Sequence, residues 1–393
     1  MNLNDILGVA LKSKTSDIHL KAGLSPVFRI DGKLRPLPKA PRLTSEALRS
    51  MCVAIMNDKQ REKFEEVNEV DLAYSVPGLG RFRANVFMQR NSVSAVFRVI
   101  PFKVASLDDL LMPQVLKKIA QEPRGLVLIT GATGTGKSTT LAAMVDFINN
   151  NRTAHLVTVE DPIEYLHRDR KCIINQREVG FDTVGFAPAL RSALRQDPDV
   201  IMVGEMRDQE TVETALAAAE TGHLVLSTLH TIDAPETITR IISMFPPHQQ
   251  RHVRLQLSNI LKGVISQRLI PRIEGDGRVA AVEVMISTAR IRELIDDKEK
   301  AAQIRDTMAK GYTTYGMQTF DQALMDLVKK KVISYDEALR QSSNPADFKL
   351  KFSGIDSTSD GSWSDFERGK DQEEQAEKQA GLDTDGSVKV ERF

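Results

Sequence analysis

Cysteine is nearly absent from this chain. Its two residues, Cys52 and Cys172, lie far apart and lack the paired spacing of a metal site, which leaves neither a disulfide framework nor a thiolate cage to build on. Net charge is absent too: 53 basic residues balance 53 acidic ones, so no global field draws in nucleic acid or an anionic membrane surface. No apolar run nears the ~20 residues that cross a bilayer. The opening segment, MNLNDILGVALKSK, has no basic n-region, and Asp5 interrupts its apolar part; an amphipathic helix fits it better than a signal peptide. Together these absences predict a cytosolic protein with reduced thiols and no nucleic acid among its partners.

What is present is ordinary for a globular chain: 41% hydrophobic and 27% charged residues over 393 positions, room for two or three domains. One stretch is not ordinary. Leu126-Val127-Leu128-Ile129 has the length and composition of a buried parallel strand. Gly131-Ala132-Thr133-Gly134-Thr135-Gly136-Lys137-Ser138 follows at once and satisfies G-x-x-x-x-G-K-[ST]. Glycines let successive backbone N–H groups turn inward as an anion nest at the positive end of the next helix. Gly131 to Thr139 are therefore the expected ATP-binding residues, with Lys137 on the β- and γ-phosphates and the Ser138 hydroxyl on Mg²⁺.

Residues 1 to about 100 read as a small α/β module. Leu3, Ile6, Leu7, Ala10 and Leu11 share one helical face. Ser16–Leu20 and Arg81–Phe87 alternate polar and apolar, as half-buried strands do. Gly32 and Pro77-Gly78-Leu79-Gly80 supply turns, and Ser45 to Val67 reads as two helices. His19, alone in an alternating strand, reads as structural. Residues 101–112 form an expected linker, ahead of a P-loop domain over 113–350 with a helical C-terminal part. From Arg124 onward short apolar strands alternate with helical stretches, the pattern of a doubly wound, parallel-rich sheet. The fold class is thus α/β, and the ligand is expected beyond the carboxyl ends of the strands.

Three more strand ends carry chemistry. The strand His155–Val159 runs into Glu160-Asp161-Pro162-Ile163-Glu164, carboxylates able to polarise a water or hold a metal's water shell. Asp199–Val203 leads to Gly204-Glu205, a Walker-B arrangement in which Glu205 stands on the Mg²⁺ side and Gly204 gives its neighbour room beside the nucleotide. Leu224–Leu229 is bracketed by His223 and His230; His230, at the strand's end, is placed to sense the γ-phosphate. Metal ligation by the two histidines lacks the further ligands it requires. Arg83 and Arg98 are candidate cations for the transferring phosphoryl, although their strands alone favour salt-bridged surface arginines.

The runs GATGTGKSTT, VTVEDPIEYLH, VIMVGEMRD and TGHLVLSTLHT, in that order, resemble the type II/IV secretion ATPase superfamily. Ser16–Leu20, Arg81-Phe82-Arg83 and Gly316–Leu324 resemble, within it, the PilT/PilU group of type IV pilus retraction motors. The resemblance implies a PAS-like N-terminal domain, a RecA-like ATPase domain and a ring-shaped homohexamer. It places ATP between the domains, with Arg83 and Arg98 contributed by the first. It makes an acidic-box glutamate catalytic, Glu164 as first choice and Glu160 as second. Expected partners are an inner-membrane platform protein and a paralogous retraction ATPase, at the cytoplasmic face of the inner membrane, with membrane contact only through partners. The tetracysteine zinc pattern of many extension ATPases is missing, which argues against assembly.

Three departures bear on the choice within the group. The AIRNLI motif of PilT appears as Arg290-Ile291-Arg292-Glu293-Leu294-Ile295, the usual P-loop proline is Ala132, and a tail follows residue 352. Tail and P-loop lean to PilU, the partial motif to PilT. Ser353 to Phe393 is rich in Gly, Ser, Asp, Glu and Gln, a composition that predicts disorder, with Trp363 and Phe366 as the one candidate docking pair.

Overall fold

Two antiparallel or parallel ladders organise the chain, one in each of two units. The computed structural model describes residues 2–13, 15–30, 32–38, 40–100, 104–274 and 277–353. The first unit comprises Met1–Val104 with Pro162–Arg168; the second comprises Ala105–Asp161 and the described residues from Asp169 onward. The expected linker at 101–112 and the tail from Ser353 each lie partly outside the described residues, Trp363 and Phe366 among those outside.

In the first unit, α1 (Leu3–Lys12) is followed by β1 (Asp17–Lys21), β2 (Val27–Ile30) and β3 (Lys33–Pro36). Then come α2 (Ser45–Ala54), α3 (Asp58–Val67), β4 (Glu69–Val76), β5 (Gly80–Gln89) and β6 (Ser92–Ile100). The strands form one antiparallel sheet in the order β3-β2-β1-β6-β5-β4. Alternation in β5 sends Phe82, Ala84 and Val86 into a core with Ile6 and Leu7 of α1 and Phe97 of β6. Asp5, the residue that breaks the apolar run, closes a capping box: its carboxylate accepts from the Asn2 N–H at 2.9 Å, and its own N–H donates to Asn2 Oδ1 at 2.8 Å. Cys52 is buried in this core, and desolvation pushes its thiol up to about 12, which makes it chemically inert.

The second unit opens with α4 (Val115–Ala120), β7 (Gly125–Thr130), α5 (Lys137–Asn151), β8 (His155–Glu160) and β9 (Ile173–Glu178). It continues through α6 (Phe186–Ala193), β10 (Val200–Val203), α7 (Gln209–Glu220), β11 (Leu224–Leu229), α8 (Ala234–Ser243), α9 (Pro247–Ile260), β12 (Leu261–Pro271) and β13 (Arg278–Ile286). A helical end follows: α10 (Ala289–Asp296), a 3-10 turn (Lys298–Gln303), α11 (Ile304–Lys310), α12 (Tyr312–Tyr315), α13 (Phe320–Lys329), α14 (Tyr335–Gln341) and α15 (Pro345–Phe352). The seven strands order as β13-β12-β7-β11-β10-β8-β9, all pairs parallel except β12 with β13. Every residue of β7, β10 and β11 is buried, as parallel strands covered on both faces must be. The alternation legible in the sequence does not extend to β9, β12 and β13. In β9 exposed and half-buried positions dominate, and β12 runs straight on from α9 with no turn residue between them, so neither carries the punctuated apolar signal of the central strands.

Glu283 of β13 is a buried charge in this sheet. Burial raises it from an ordinary 4.5 to about 7, although the Ala234 N–H and the cations Arg305 and Arg268 act the other way. Between those values the folded state holds a proton that the unfolded chain has released. Stability present below pH 4.5 is therefore lost as pH rises through about 7. Glu283→Gln keeps the acceptor for Ala234 but cannot ionise. Its melting temperature relative to the parent should climb between about pH 5 and pH 8; a difference that stays level across that range would contradict the assignment.

Candidate active site

The ladder between β7 and β11 is in simple register, from Leu224 opposite Gly125 to Leu229 opposite Thr130. The two strands therefore end flush, and Gly131 and His230 start their loops side by side. Next in the row is β10, in register with β11 from Val200 opposite Leu224. Its exit loop is stitched to β11: Thr228 Oγ1 donates to Gly204 O at 2.7 Å and the Met206 N–H donates to Thr228 O at 3.2 Å. Glu205 sits between these two anchors, and its carboxylate meets His230 Nε2 at 3.1 Å and the Arg207 guanidinium on its other oxygen.

The P-loop itself spans Gly131 to Gly136, and α5 begins at Lys137 with Gly136 as its cap. Gly131, Gly134 and Gly136 all take left-handed φ values. Gly131 is the demanding one: at φ +144° a Cβ would stand 2.6 Å from both the Gln267 carbonyl and Thr135 Oγ1. The Lys137 ammonium is drawn back over the loop, donating to Gly131 O at 2.8 Å and Ala132 O at 3.0 Å. Burial lowers its pKa, and the nearby charge of Glu205 opposes that shift. Ser138 and Thr139 occupy the first turn of α5, Ser138 exposed. Behind the loop, Gln267 Nε2 donates to Thr140 Oγ1 at 2.9 Å and Thr130 Oγ1 to Ser266 Oγ at 2.9 Å. These β12 partners, like Arg207, were not singled out from sequence. An Arg two residues after the Walker-B glutamate was the visible signal for Arg207; for Gln267 the signal was polar residues inside an otherwise apolar run.

The acidic box divides. Glu160 is the last residue of β8, three strands and so roughly 14 Å from β7 at ordinary strand spacing. It is buried, with Oε1 accepting from Thr158 Oγ1 at 2.7 Å and Gln176 Nε2 at 3.0 Å. Glu164 is exposed and lies in the segment that groups with the first unit. At Gly204 the space at the Cβ position is bounded by Val159 O at 3.3 Å and Glu160 Cα at 3.4 Å, so the glycine permits the close approach of β8 and β10.

In the first unit, Arg83 of β5 and Arg98 of β6 stand directly opposite each other on the exposed face of the sheet. Arg98 Nε reaches Asp17 Oδ1 at 2.9 Å. Desolvation raises Asp17, but hydrogen bonds from Arg98 and Ser16 outweigh it and leave the carboxyl below its usual range. His19 is half-buried in β1 and held low by desolvation, with Arg29 adding to the effect, which agrees with a structural role.

Residues 1–340 match the family described as type II/IV secretion system protein. The chain belongs to that family. It is 50% identical over 348 residues to the type IV pilus retraction ATPase PilT of Pseudomonas aeruginosa, covering 88% of this chain and all of that protein. To the type IV pilus ATPase PilU of the same organism it is 43% identical over 350 residues, 89% of this chain and 91% of the relative. The solved structure of the pilus retraction motor PilT with bound ADP superposes with a TM-score of 0.79 at 47% identity, over 88% of this chain and 98% of that one. The family's mixed architecture, an antiparallel-sheet domain followed by a parallel-rich ATPase domain, is the one described above.

Gly131→Ala should weaken binding of a fluorescent ADP analogue by about tenfold or more, because strain of ~1–3 kcal/mol falls on the backbone that forms the cradle. An unchanged affinity in equilibrium titrations would show that the cradle is not used.

Proposed function

We propose that this chain is an ATP-hydrolysing motor that powers retraction of type IV pili, and so twitching motility. The observation that carries the reading is the flush row of strand ends, which sets the P-loop with its buried Lys137 beside the Glu205–His230 pair. Half-identity to PilT along its whole length supports the same reading, and the lower identity to PilU supports a PilT-type over a PilU-type role.

The residues divide the work by chemistry. Backbone N–H groups from Gly131 to Thr139 receive the phosphates, and Lys137 exchanges its carbonyl partners for phosphate oxygens without leaving the loop. A divalent cation fits the donors present: the Ser138 hydroxyl and the Glu205 carboxylate are hard oxygens. Among the described residues no set of three or more His, Cys, Asp or Glu side chains forms a metal cage, so phosphate oxygens and water would complete the shell, as Mg²⁺ prefers. When bound, Mg²⁺ supplies charge neutralisation at the phosphates. His230 orients Glu205 and stands on the strand beside the P-loop, positioned to register the γ-phosphate. Glu160 is already engaged by Thr158 and Gln176, which favours Glu164 as the residue that positions water. Arg83 and Arg98 face each other at a distance where like charges repel, an arrangement suited to an anion, and the N-terminal domain, 1–100, offers them to phosphate.

The working form is a homohexameric ring. Its partners are the inner-membrane platform protein of the pilus and a paralogous retraction ATPase, at the cytoplasmic face of the inner membrane. Among the described residues no helix is long and apolar enough to cross a membrane, consistent with attachment through partners.

Two measurements test this. Purified Glu164→Gln should lose about a hundredfold or more in phosphate release while still binding nucleotide, and Glu160→Gln should retain most activity; the reverse pattern moves the role to Glu160. Cells carrying Lys137→Ala should be hyperpiliated and unable to twitch, whereas bald cells would mean that the motor assembles pili.

A further inference from the structure

The turn that carries His230 is fastened at its far end by two residues of the C-terminal half. From His230 the chain runs only three residues to Asp233, the cap of α8. Within that turn Thr231 Oγ1 meets Thr237 Oγ1 at 2.6 Å and the Ile232 N–H reaches Glu236 Oε2 at 3.1 Å. Asp233 Oδ1 accepts the Glu236 N–H at 2.8 Å, while its other oxygen, Oδ2, takes Arg305 of α11 at 2.8 Å. The next N–H, of Ala234, is bound at 2.9 Å by the buried carboxylate of Glu283 from β13.

Three features make this more than a helix cap. A serine, asparagine or isolated aspartate satisfies a helix start unaided, yet here a second carboxylate, taken out of water, is spent on one further N–H. Asp233 is in turn tied to a cation from an element more than seventy residues on. And the turn between the cap and His230 is tied to α8 by the Thr231 hydroxyl and the Ile232 N–H, so a shift of the α8 start is passed to His230 with little slack. At the other end of the turn His230 holds Glu205. The path thus runs from Arg305 to Asp233 by an ion pair, along three residues of chain to His230, and from His230 to Glu205 by a hydrogen bond.

We propose that Arg305 and Glu283 are positioning residues for the ATPase reaction: they hold the start of α8, and through the His230–Asp233 turn they fix His230 against Glu205. The proposal rests on the hydrolase reading above and adds to it a role for α11. Neither residue touches nucleotide; each acts by geometry, and small displacements of reacting groups cost rate far more than affinity. A corollary is that any partner bearing on α11 changes the turnover of the site.

The test uses the full purified chain and reads kcat and KM for ATP, the affinity of a fluorescent ADP analogue, and the melting temperature. Arg305→Ala should lower kcat about tenfold, leaving KM and ADP-analogue affinity within about twofold. Arg305→Lys should restore most of the loss. Asp233→Asn keeps the capping oxygen but removes the charge that Arg305 binds, so it should reproduce the kcat loss. The double variant should then be no slower than either single one, since both remove one interaction. Should Arg305→Ala melt below the assay temperature, Asp233→Asn decides alone. Wild-type turnover in either variant, or losses that multiply in the double, would overturn the proposal. A parent protein that hydrolyses no ATP would overturn the hydrolase reading along with it, whereas an active parent insensitive to Arg305 and Asp233 overturns only the role of α11.

Discussion

Everything chemical in this chain depends on the in-register pairing of β7 with β11. Because Thr130 and Leu229 are opposite each other, the P-loop and His230 leave the sheet at the same height. A slip of one residue would turn every side chain of β11 to the other face of the sheet and carry His230 away from Glu205. The register is held by strands that are buried along their whole length and by the hydrogen bonds from Thr228 that stitch the Glu205 loop to β11. The site is therefore a property of the sheet core, expressed at its edge.

How much of this the sequence discloses depends on the kind of constraint. The P-loop, the Walker-B strand and the histidine box are legible because apolar runs, glycines and chemically loaded residues coincide at strand ends. The row order is not legible, since nothing local tells β10 to insert between β8 and β11; long-range packing decides it, and with it the distance of Glu160 from the P-loop. The β5–β6 hairpin turns through Arg90 and Asn91, both left-handed, without the Asn-Gly pair that usually announces such a turn. Gly204 stands out in the sequence beside a functional glutamate, but the close approach of two strands that it allows is visible only in the fold.

The electrostatics carry a consistent theme of charges held short of full neutralisation. Lys137 rests on carbonyls, and Arg83 faces Arg98 with the Asp17 carboxylate beside only the latter. Buried or opposed charges of this kind destabilise a resting protein. They are repaid when an anion of the right size arrives, which ties the preference for triphosphate over empty site to the same groups that would stabilise its hydrolysis.

The central claim is that the Glu205–His230 pair serves the phosphate cradle beside it, and single-turnover hydrolysis by Glu205→Ala and His230→Ala proteins tests it most directly. The account predicts a rate of phosphate release lower by about a hundredfold or more, with nucleotide affinity at the P-loop largely retained. Parent-like single-turnover rates in both variants would contradict it.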